Sequence, residues 1–203
     1  NWCLNGAGVT IPGITTDIDG DTRGVVPFGP DLGADEFTAT GFVVTNPAAV
    51  CAPATVDLTA ATVTAGSIGG LTFTYWTDAA ATSVLANPNA VAASGTYYIK
   101  ASNGTCTIVL PVVVTINAAA SPTLSGSASV CAGSTGNIYT TESGKSNYIW
   151  NVSAGGTVTA GGTAKDNSVT VTWNTAGPQT VSVNYTEANG CPAPTATVYN
   201  VTV

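Results

Sequence analysis

The chain has 203 residues, a net charge of −7 from four basic and eleven acidic side chains, and a hydrophobic content of 44%. So few basic residues exclude nucleic acid and an anionic membrane surface as partners, because neither phosphate contacts nor a polybasic patch can be built from them. A charged fraction of only 7% together with many β-branched residues predicts an ordered all-β protein. No apolar run approaches the roughly 20 residues that span a bilayer.

The first 45 residues differ in composition from the rest of the chain. Six of the eleven acidic residues lie between Asp17 and Glu36, among glycines and prolines that are typical of turns. This stretch contains too little apolar surface to fold alone. Residues 1–45 are therefore predicted to form a β-rich segment that docks on another part of the protein.

Three aspartates at alternate positions in this segment are candidate ligands for Ca²⁺. They are Asp17, Asp19 and Asp21, and calcium loops place hard oxygen ligands at every second residue. The bidentate glutamate of such loops is out of register here, although Asp35 or Glu36 can reach the site from elsewhere in the fold. The alternative is a turn whose aspartates accept hydrogen bonds from backbone N–H groups, and the incomplete motif favours this turn.

Residues 46–118 show the alternation of polar and apolar side chains that is typical of antiparallel strands. The pattern predicts strands in Thr72–Trp76 and Gly95–Lys100, each with one buried face. Asn103-Gly104 then predicts a hairpin turn. Pro111 in the next apolar run predicts an edge strand, because proline cannot donate a hydrogen bond to a neighbouring strand.

Two aromatic residues of this region alternate out of phase with their buried neighbours. Trp76 and Tyr98 are therefore predicted to lie on the outer face of the sheet. Exposed aromatic side chains stack on sugars or pack against other modules or copies. Packing is the commoner of these two roles.

Residues 119–203 repeat the pattern, with Gly-rich loops between alternating runs at Tyr148–Val152, Val169–Trp173, Val181–Tyr185 and Tyr199–Val203. Short strands about ten residues apart predict a β-sandwich. The predicted fold is thus all-β: two tandem sandwiches, residues 46–118 and 119–203, that follow a short irregular N-terminal segment.

Five cysteines bear on the location of the protein. Cys51 and Cys106 flank one predicted module and Cys131 and Cys191 flank the other, so each pair is predicted to form a disulfide. Paired cysteines indicate an oxidising, extracellular location. Since the sequence has no Met and does not open on a signal peptide, we expect a mature or excerpted segment of a secreted chain. Cys3 is left over, and it is predicted to bond upstream, to bond another molecule or to remain a buried thiol.

No catalytic residue is predicted. The absence of His excludes a triad with a His base and a His-ligated zinc site. Asp35 and Glu36 cannot act as a glycosidase pair, because adjacent residues of a strand point to opposite faces. We therefore expect no enzyme and no cofactor other than the calcium considered above.

The second region resembles the PKD-like domains of large surface proteins of Bacteroidetes. The resemblance covers roughly residues 120–203 and is carried by Val130-Cys131-Ala132, Tyr148-Ile149-Trp150-Asn151-Val152, Val169-Thr170-Val171-Thr172-Trp173, Gly177-Pro178-Gln179-Thr180-Val181-Ser182-Val183 and Asn189-Gly190-Cys191. The Trp-Asp-Phe-Gly-Asp-Gly turn of standard PKD domains is replaced by a sequence without acids, Trp150-Asn151-Val152-Ser153-Ala154-Gly155.

The first region resembles the Ig-like repeats of gliding-associated adhesins of the same bacteria. This likeness is carried by Tyr75-Trp76-Thr77-Asp78-Ala79-Ala80-Ala81-Thr82, Ala86-Asn87-Pro88 and Ser94-Gly95-Thr96-Tyr97-Tyr98-Ile99. The N-terminal segment is similar to the closing segment of parallel β-helix domains, through Asp17-Ile18-Asp19-Gly20-Asp21-Thr22-Arg23 and Pro30-Asp31-Leu32-Gly33-Ala34-Asp35-Glu36-Phe37. Such proteins are typically exported by the type IX system.

The resemblances imply a non-catalytic structural or adhesive segment of an extracellular or cell-surface protein. It is expected to form a stalk or filament by module stacking or strand addition, with other copies or modules of the same protein and surface polysaccharide as partners. One alternative is an accessory spacer or carbohydrate-binding region of a secreted polysaccharide hydrolase. Another is a polymerising subunit whose first 40 or so residues insert into a neighbouring copy.

Overall fold

The computed structural model describes residues 41–104 and 107–203, and within these ranges the chain is all-β. No helix long and apolar enough to cross a membrane occurs in this part of the chain. The described strands are β1 (Val50–Cys51), β2 (Thr72–Trp76), β3 (Gly95–Ser102), β4 (Thr107–Val114), β5 (Ile116–Asn117), β6 (Asn137–Thr140), β7 (Ser146–Val152), β8 (Gly156–Gly161), β9 (Ser168–Trp173), β10 (Pro178–Thr186) and β11 (Thr197–Thr202).

The chain divides into two compact units that are interleaved along the sequence. The first unit holds residues 41–49 and 55–115, and the second holds residues 50–54 and 116–203. The sequence predicted a division at residue 118, whereas the structure divides at 115 and assigns 50–54 to the second unit.

The described part of the first unit contains one antiparallel sheet in the order β2-β3-β4. One face of the sheet is buried, because alternate residues of β3 and β4 are apolar and point the same way. Phe42 stacks on Phe73 of β2 with ring centroids 5.6 Å apart. The buried apolar residues of this unit are Phe42, Val56, Leu58, Val63, Val91, Ile99, Ala101, Val112 and Val114.

Two local predictions for the first unit are confirmed. Asn103-Gly104 lies in the turn between β3 and β4, where Gly104 has a φ of +90° that suits glycine. Pro111 lies on β4, which pairs only with β3 among the described strands and is therefore an edge strand.

The second unit is a two-sheet sandwich. Its sheets have the strand orders β6-β9-β8 and β11-β10-β7, which match three strands of each sheet in a constant-type immunoglobulin domain. Trp173 is fully buried, meets the ring of Tyr139 edge-on at 6.3 Å and donates a 3.0 Å hydrogen bond from Nε1 to the Tyr139 hydroxyl. The same core contains side chains of both sheets: Tyr139, Val169, Val171, Trp173, Val181 and Val201.

The predicted disulfide pairing is wrong. Cys51 is bonded to Cys191, 140 residues away, with a Cα–Cα distance of 5.5 Å, and Cys131 is an exposed free thiol. The reason is a long-range pairing that no local pattern reveals: β1 runs parallel to β5, with Cys51 opposite Asn117. Cys106 lies outside the described residues.

Candidate functional site

Three ring-bearing side chains form a row across the outer face of the first unit's sheet. Trp76 of β2 is the direct cross-strand partner of Tyr98 of β3, and Tyr98 is the direct partner of Pro111 of β4. Directly opposite residues in an antiparallel pair have Cβ atoms about 4.5–5.5 Å apart and point to the same face. We call Trp76, Tyr98 and Pro111 the ring row.

The ring row lies opposite the buried face because of the strand period of two. Ile99 follows Tyr98 and is fully buried, and Val112 follows Pro111 and is also fully buried. Pro111 is exposed, while Trp76 and Tyr98 are partly exposed. The structure therefore brings together the two aromatic residues that the sequence predicted for this face.

Two polar neighbours hold the indole of Trp76 in place. Its Nε1 donates a 2.9 Å hydrogen bond to Oγ1 of Thr74, two residues earlier on the same face. The Lys100 ammonium lies 6.0 Å from the indole centroid, at the outer limit of a cation–π contact. Lys100 is two residues from Tyr98 and so lies on the same face. The row is thus flanked by a hydroxyl and a cation.

A tight turn fixes the strand end that carries Trp76. Trp76 forms a bridge with Val84, so the chain folds back beside β2. The Asp78 carboxylate accepts hydrogen bonds from the backbone N–H of Ser83 at 2.6 Å, from the N–H of Thr82 at 3.2 Å and from the hydroxyl of Thr82 at 3.1 Å. The bond from Ser83 is the largest cause of the lowered pKa of Asp78. Asp78 therefore has a structural role within the turn.

This arrangement can bind a flat ligand through stacking and a few hydrogen bonds. The planar faces of indole and phenol favour an apolar surface such as the C–H face of a pyranose ring. The Tyr98 hydroxyl can donate and accept hydrogen bonds, whereas the Trp76 N–H is already bonded to Thr74. Thr74 and Lys100 add polar groups beside the rings. Sequence reasoning found Trp76 and Tyr98, but it missed Lys100 and took Pro111 only as a mark of an edge.

The predicted calcium ligands and the unpaired cysteine belong to the N-terminal segment. Asp17, Asp19 and Asp21, the predicted calcium ligands, and Cys3 lie outside the described residues. Within 41–104 and 107–203, no group of three or more His, Cys, Asp or Glu side chains could hold a metal ion. The calcium site stays a prediction.

A polar cluster in the second unit is satisfied by groups of the protein itself. Burial raises the pKa of Glu142, but hydrogen bonds from Thr123 and Thr141 outweigh that effect and lower the pKa to about 2. Burial, followed by the nearby charge of Glu142, raises the pKa of Tyr185 to about 12. Lys145 bonds Glu187 at 2.7 Å beside the Tyr185 ring. The cluster ties loop ends to the sandwich.

Comparison with known proteins identifies one region of the chain. Residues 117–201 match the family described as PKD-like domain, which coincides with the second unit from residue 116 onward. The match confirms the PKD-like part of the resemblance predicted for residues 120–203. No curated protein matches the sequence.

Solved structures give weaker similarities. Domains 1–6 of the surface layer protein SbsC are 19% identical over 66% of this chain, with a TM-score of 0.33, and this chain spans only 20% of that structure. Extracellular cadherin domains 1–4 of protocadherin gamma B7 are 11% identical over 81% of this chain and 50% of that one, with a TM-score of 0.33. Fibronectin(III)-like modules of CbhA from Clostridium thermocellum are 17% identical over 64% of this chain and 76% of that one, with a TM-score of 0.31. TM-scores this low carry no argument about function.

Proposed function

We propose that the chain is a non-catalytic structural and adhesive segment of an extracellular protein, and that the ring row is its adhesive contact for polysaccharide. The in-register row of Trp76, Tyr98 and Pro111 on an open sheet face is the observation that carries this proposal. A polysaccharide presents the C–H faces of its sugar rings at regular intervals. Such a repeat suits side chains on adjacent strands, which lie about 4.8 Å apart.

The second unit supports the structural half of the proposal. Its disulfide closes a loop of 140 residues, for which loop entropy alone gives an upper value of about 5 kcal/mol, while typical measured values are about 2–4 kcal/mol. A disulfide that persists indicates an oxidising compartment. A chain that combines a cross-linked sandwich with an adhesive face suits a stalk or filament at a cell surface.

Affinity electrophoresis in gels that contain soluble polysaccharides, followed by titration calorimetry with the best oligosaccharide, tests the adhesive role. We expect Trp76→Ala and Tyr98→Ala each to weaken binding about tenfold or more, because each removes one stacking surface. The matched control is Ile149→Ala, which truncates a side chain that is 67% exposed in the second unit. Retardation that is equal in all three variants and the unaltered chain would exclude the ring row as the contact.

An accessory region of a secreted polysaccharide hydrolase is the second candidate, and the same ring row favours it. The two roles differ in what else the complete protein contains. Recovery of the native protein from culture medium, with a zymogram on the polysaccharide that binds, separates them. Hydrolysis by the native protein supports the accessory role, and retention without hydrolysis supports adhesion.

A further inference from the structure

Strand β8 leaves one long side of its sheet open. In the order β6-β9-β8 it is a terminal strand, and among the described residues it pairs only with β9. Its residues from Thr157 to Gly161 are all exposed, and the Val158 side chain is 46% exposed. Free edge strands offer backbone N–H and C=O groups to a strand from another chain.

The edges of the first unit's sheet are protected. On β2, the N–H of Leu85 donates to the carbonyl of Tyr75 at 2.9 Å, so the returning chain covers that edge. On β4, Pro111 has no N–H, and the N–H of Val113 donates to Oδ1 of Asn46 at 2.8 Å. Proline and local capping are devices by which proteins prevent edge pairing.

The other three terminal strands of the two sandwich sheets are covered in part by loops. Each of them exchanges or donates backbone hydrogen bonds outward to a neighbouring loop. The bonds are Ser125 with Thr140 on β6, Ala128 and Val130 with Thr202 on β11, and Tyr148 with Ala164 on β7. Within the described residues, β8 differs from them because no such loop bond reaches its outer side between Thr157 and Gly161.

The hydrogen-bond alternation shows which backbone groups of β8 point outward. Trp173 of β9 uses its N–H and C=O on the far side, with Ser134 at 3.1 Å and Gly133 at 2.7 Å. Its partner on β8, Gly156, therefore forms a non-hydrogen-bonded pair with it. Two residues along, Val158 opposite Val171 is again a non-hydrogen-bonded pair. The N–H and C=O of Val158 thus point away from β9 to the open edge.

Charge favours a second copy of the chain as the occupant of this edge. The sequence from Ser146 to Ala164 contains no charged residue, and neither do β6 and β9. Two copies with a net charge of −7 each repel one another in most relative orientations. An uncharged edge is a place where that repulsion is smallest, and an antiparallel pair of identical strands satisfies a twofold axis.

We infer that two copies join through their β8 strands, paired antiparallel about a twofold axis at Val158. This inference rests on the proposed structural role and names the joint between copies. The β-bulge at Thr159 interrupts the ladder with β9 and shortens the straight part of the edge. The pair is therefore weak and reversible for one module, and it gains strength where many copies are held on one surface.

The inference is tested by sedimentation equilibrium of the 203-residue chain that carries Cys131→Ser, which removes the exposed free thiol as a source of dimers. We expect a concentration-dependent dimer. Val158→Pro removes the outward N–H without touching the ladder to β9, and Val158→Lys places two like charges at the axis. Each is expected to weaken the dimer at least tenfold, with partial recovery of the Lys variant at high salt.

Two matched variants complete the test. Val158→Cys is expected to form an intermolecular disulfide under mild oxidation, because paired residues about 5.5 Å apart can be bridged. Ile138→Cys, 57% exposed on the covered strand β6, is the control and is expected to cross-link far more slowly. A monomer at every concentration, or a dimer that both folded Val158 variants leave unchanged, would overturn the inference. Either result would leave sugar binding by the ring row untouched, so the two proposals can fail separately.

Discussion

The two units bury their β-sheets in different ways. In the second unit two sheets face one another, and the residues between them, such as Trp173 and Val181, are fully buried. The first unit has one described sheet, whose inner face carries the fully buried Ile99 and Val112 while its outer face displays the ring row. In the sandwich the inner face of each sheet packs on the other sheet, whereas the inner face of the single sheet in the first unit is buried with apolar residues from outside its strands, such as Leu58 and Val91.

The largest expected effect is on the core of the second unit. Trp173→Ala removes a fully buried indole and its hydrogen bond to Tyr139, and such changes cost about 3–5 kcal/mol. We expect hydrogen exchange to lose protection throughout β6–β11. The sheet of β2–β4 is expected to keep its protection, because its buried residues form a separate set.

The counterpart in the first unit is Ile99→Ala, which leaves a cavity under the sheet and costs about 2–5 kcal/mol. This variant should lose hydrogen-exchange protection in β2–β4 and keep it in β6–β11. Simultaneous loss of protection in both units in either variant would show that the two cores unfold as one, and the comparison of two separate cores would fail. Tyr139→Phe, which removes one hydroxyl, is the mild control at about 1 kcal/mol.

The disulfide gives the next largest effect. Cys51→Ser frees a segment of only five residues, 50–54, from the second unit, and removal of a native disulfide costs about 2–5 kcal/mol. We expect the melting temperature of the second unit to fall and peptide mapping of the unaltered protein under non-reducing conditions to recover Cys51 with Cys191. Cys131→Ser is the control and should change neither, because that thiol is exposed and unpaired.

The strands of both cores could be predicted from the sequence, whereas the disulfide partner could not. The strands Thr72–Trp76 and Ser168–Trp173 could be predicted because their alternation is a local property of consecutive residues. The exposed position of Trp76 and Tyr98 follows from the same alternation. Their direct pairing with each other and with Pro111 depends on register, which alternation alone leaves open.

The partner of Cys51 could not be predicted for a physical reason. β1 has two residues and pairs in parallel with β5, which begins 65 residues later in the chain. A two-residue strand has no periodicity, and its pairing depends on contacts with the second unit, to which residues 50–54 belong. Sequence proximity suggested a bond within each module instead, and that assumption failed.

The smallest effect concerns Glu142, a carboxylate at the end of the sandwich. Among the described residues of the first unit, no carboxylate has a pKa that is shifted as far. The pKa of Glu142 falls from 4.5 in the unfolded chain to about 2 in the fold, where hydrogen bonds from Thr123 and Thr141 outweigh burial. A group with a lowered pKa stabilises the fold fully above its unfolded pKa and loses that contribution as the pH falls. The second unit should therefore lose about 1–2 kcal/mol between pH 4.5 and pH 2, after allowance for solvent screening.

Urea unfolding of the second unit, followed at Trp173 between pH 2 and pH 6, measures this loss. Glu142→Gln removes the titration, so it should flatten the pH dependence in that window. Thr123→Ala removes one of the hydroxyl donors and should raise the midpoint of the transition toward 4.5. An unchanged slope in Glu142→Gln would assign the acid sensitivity to another carboxylate of the second unit.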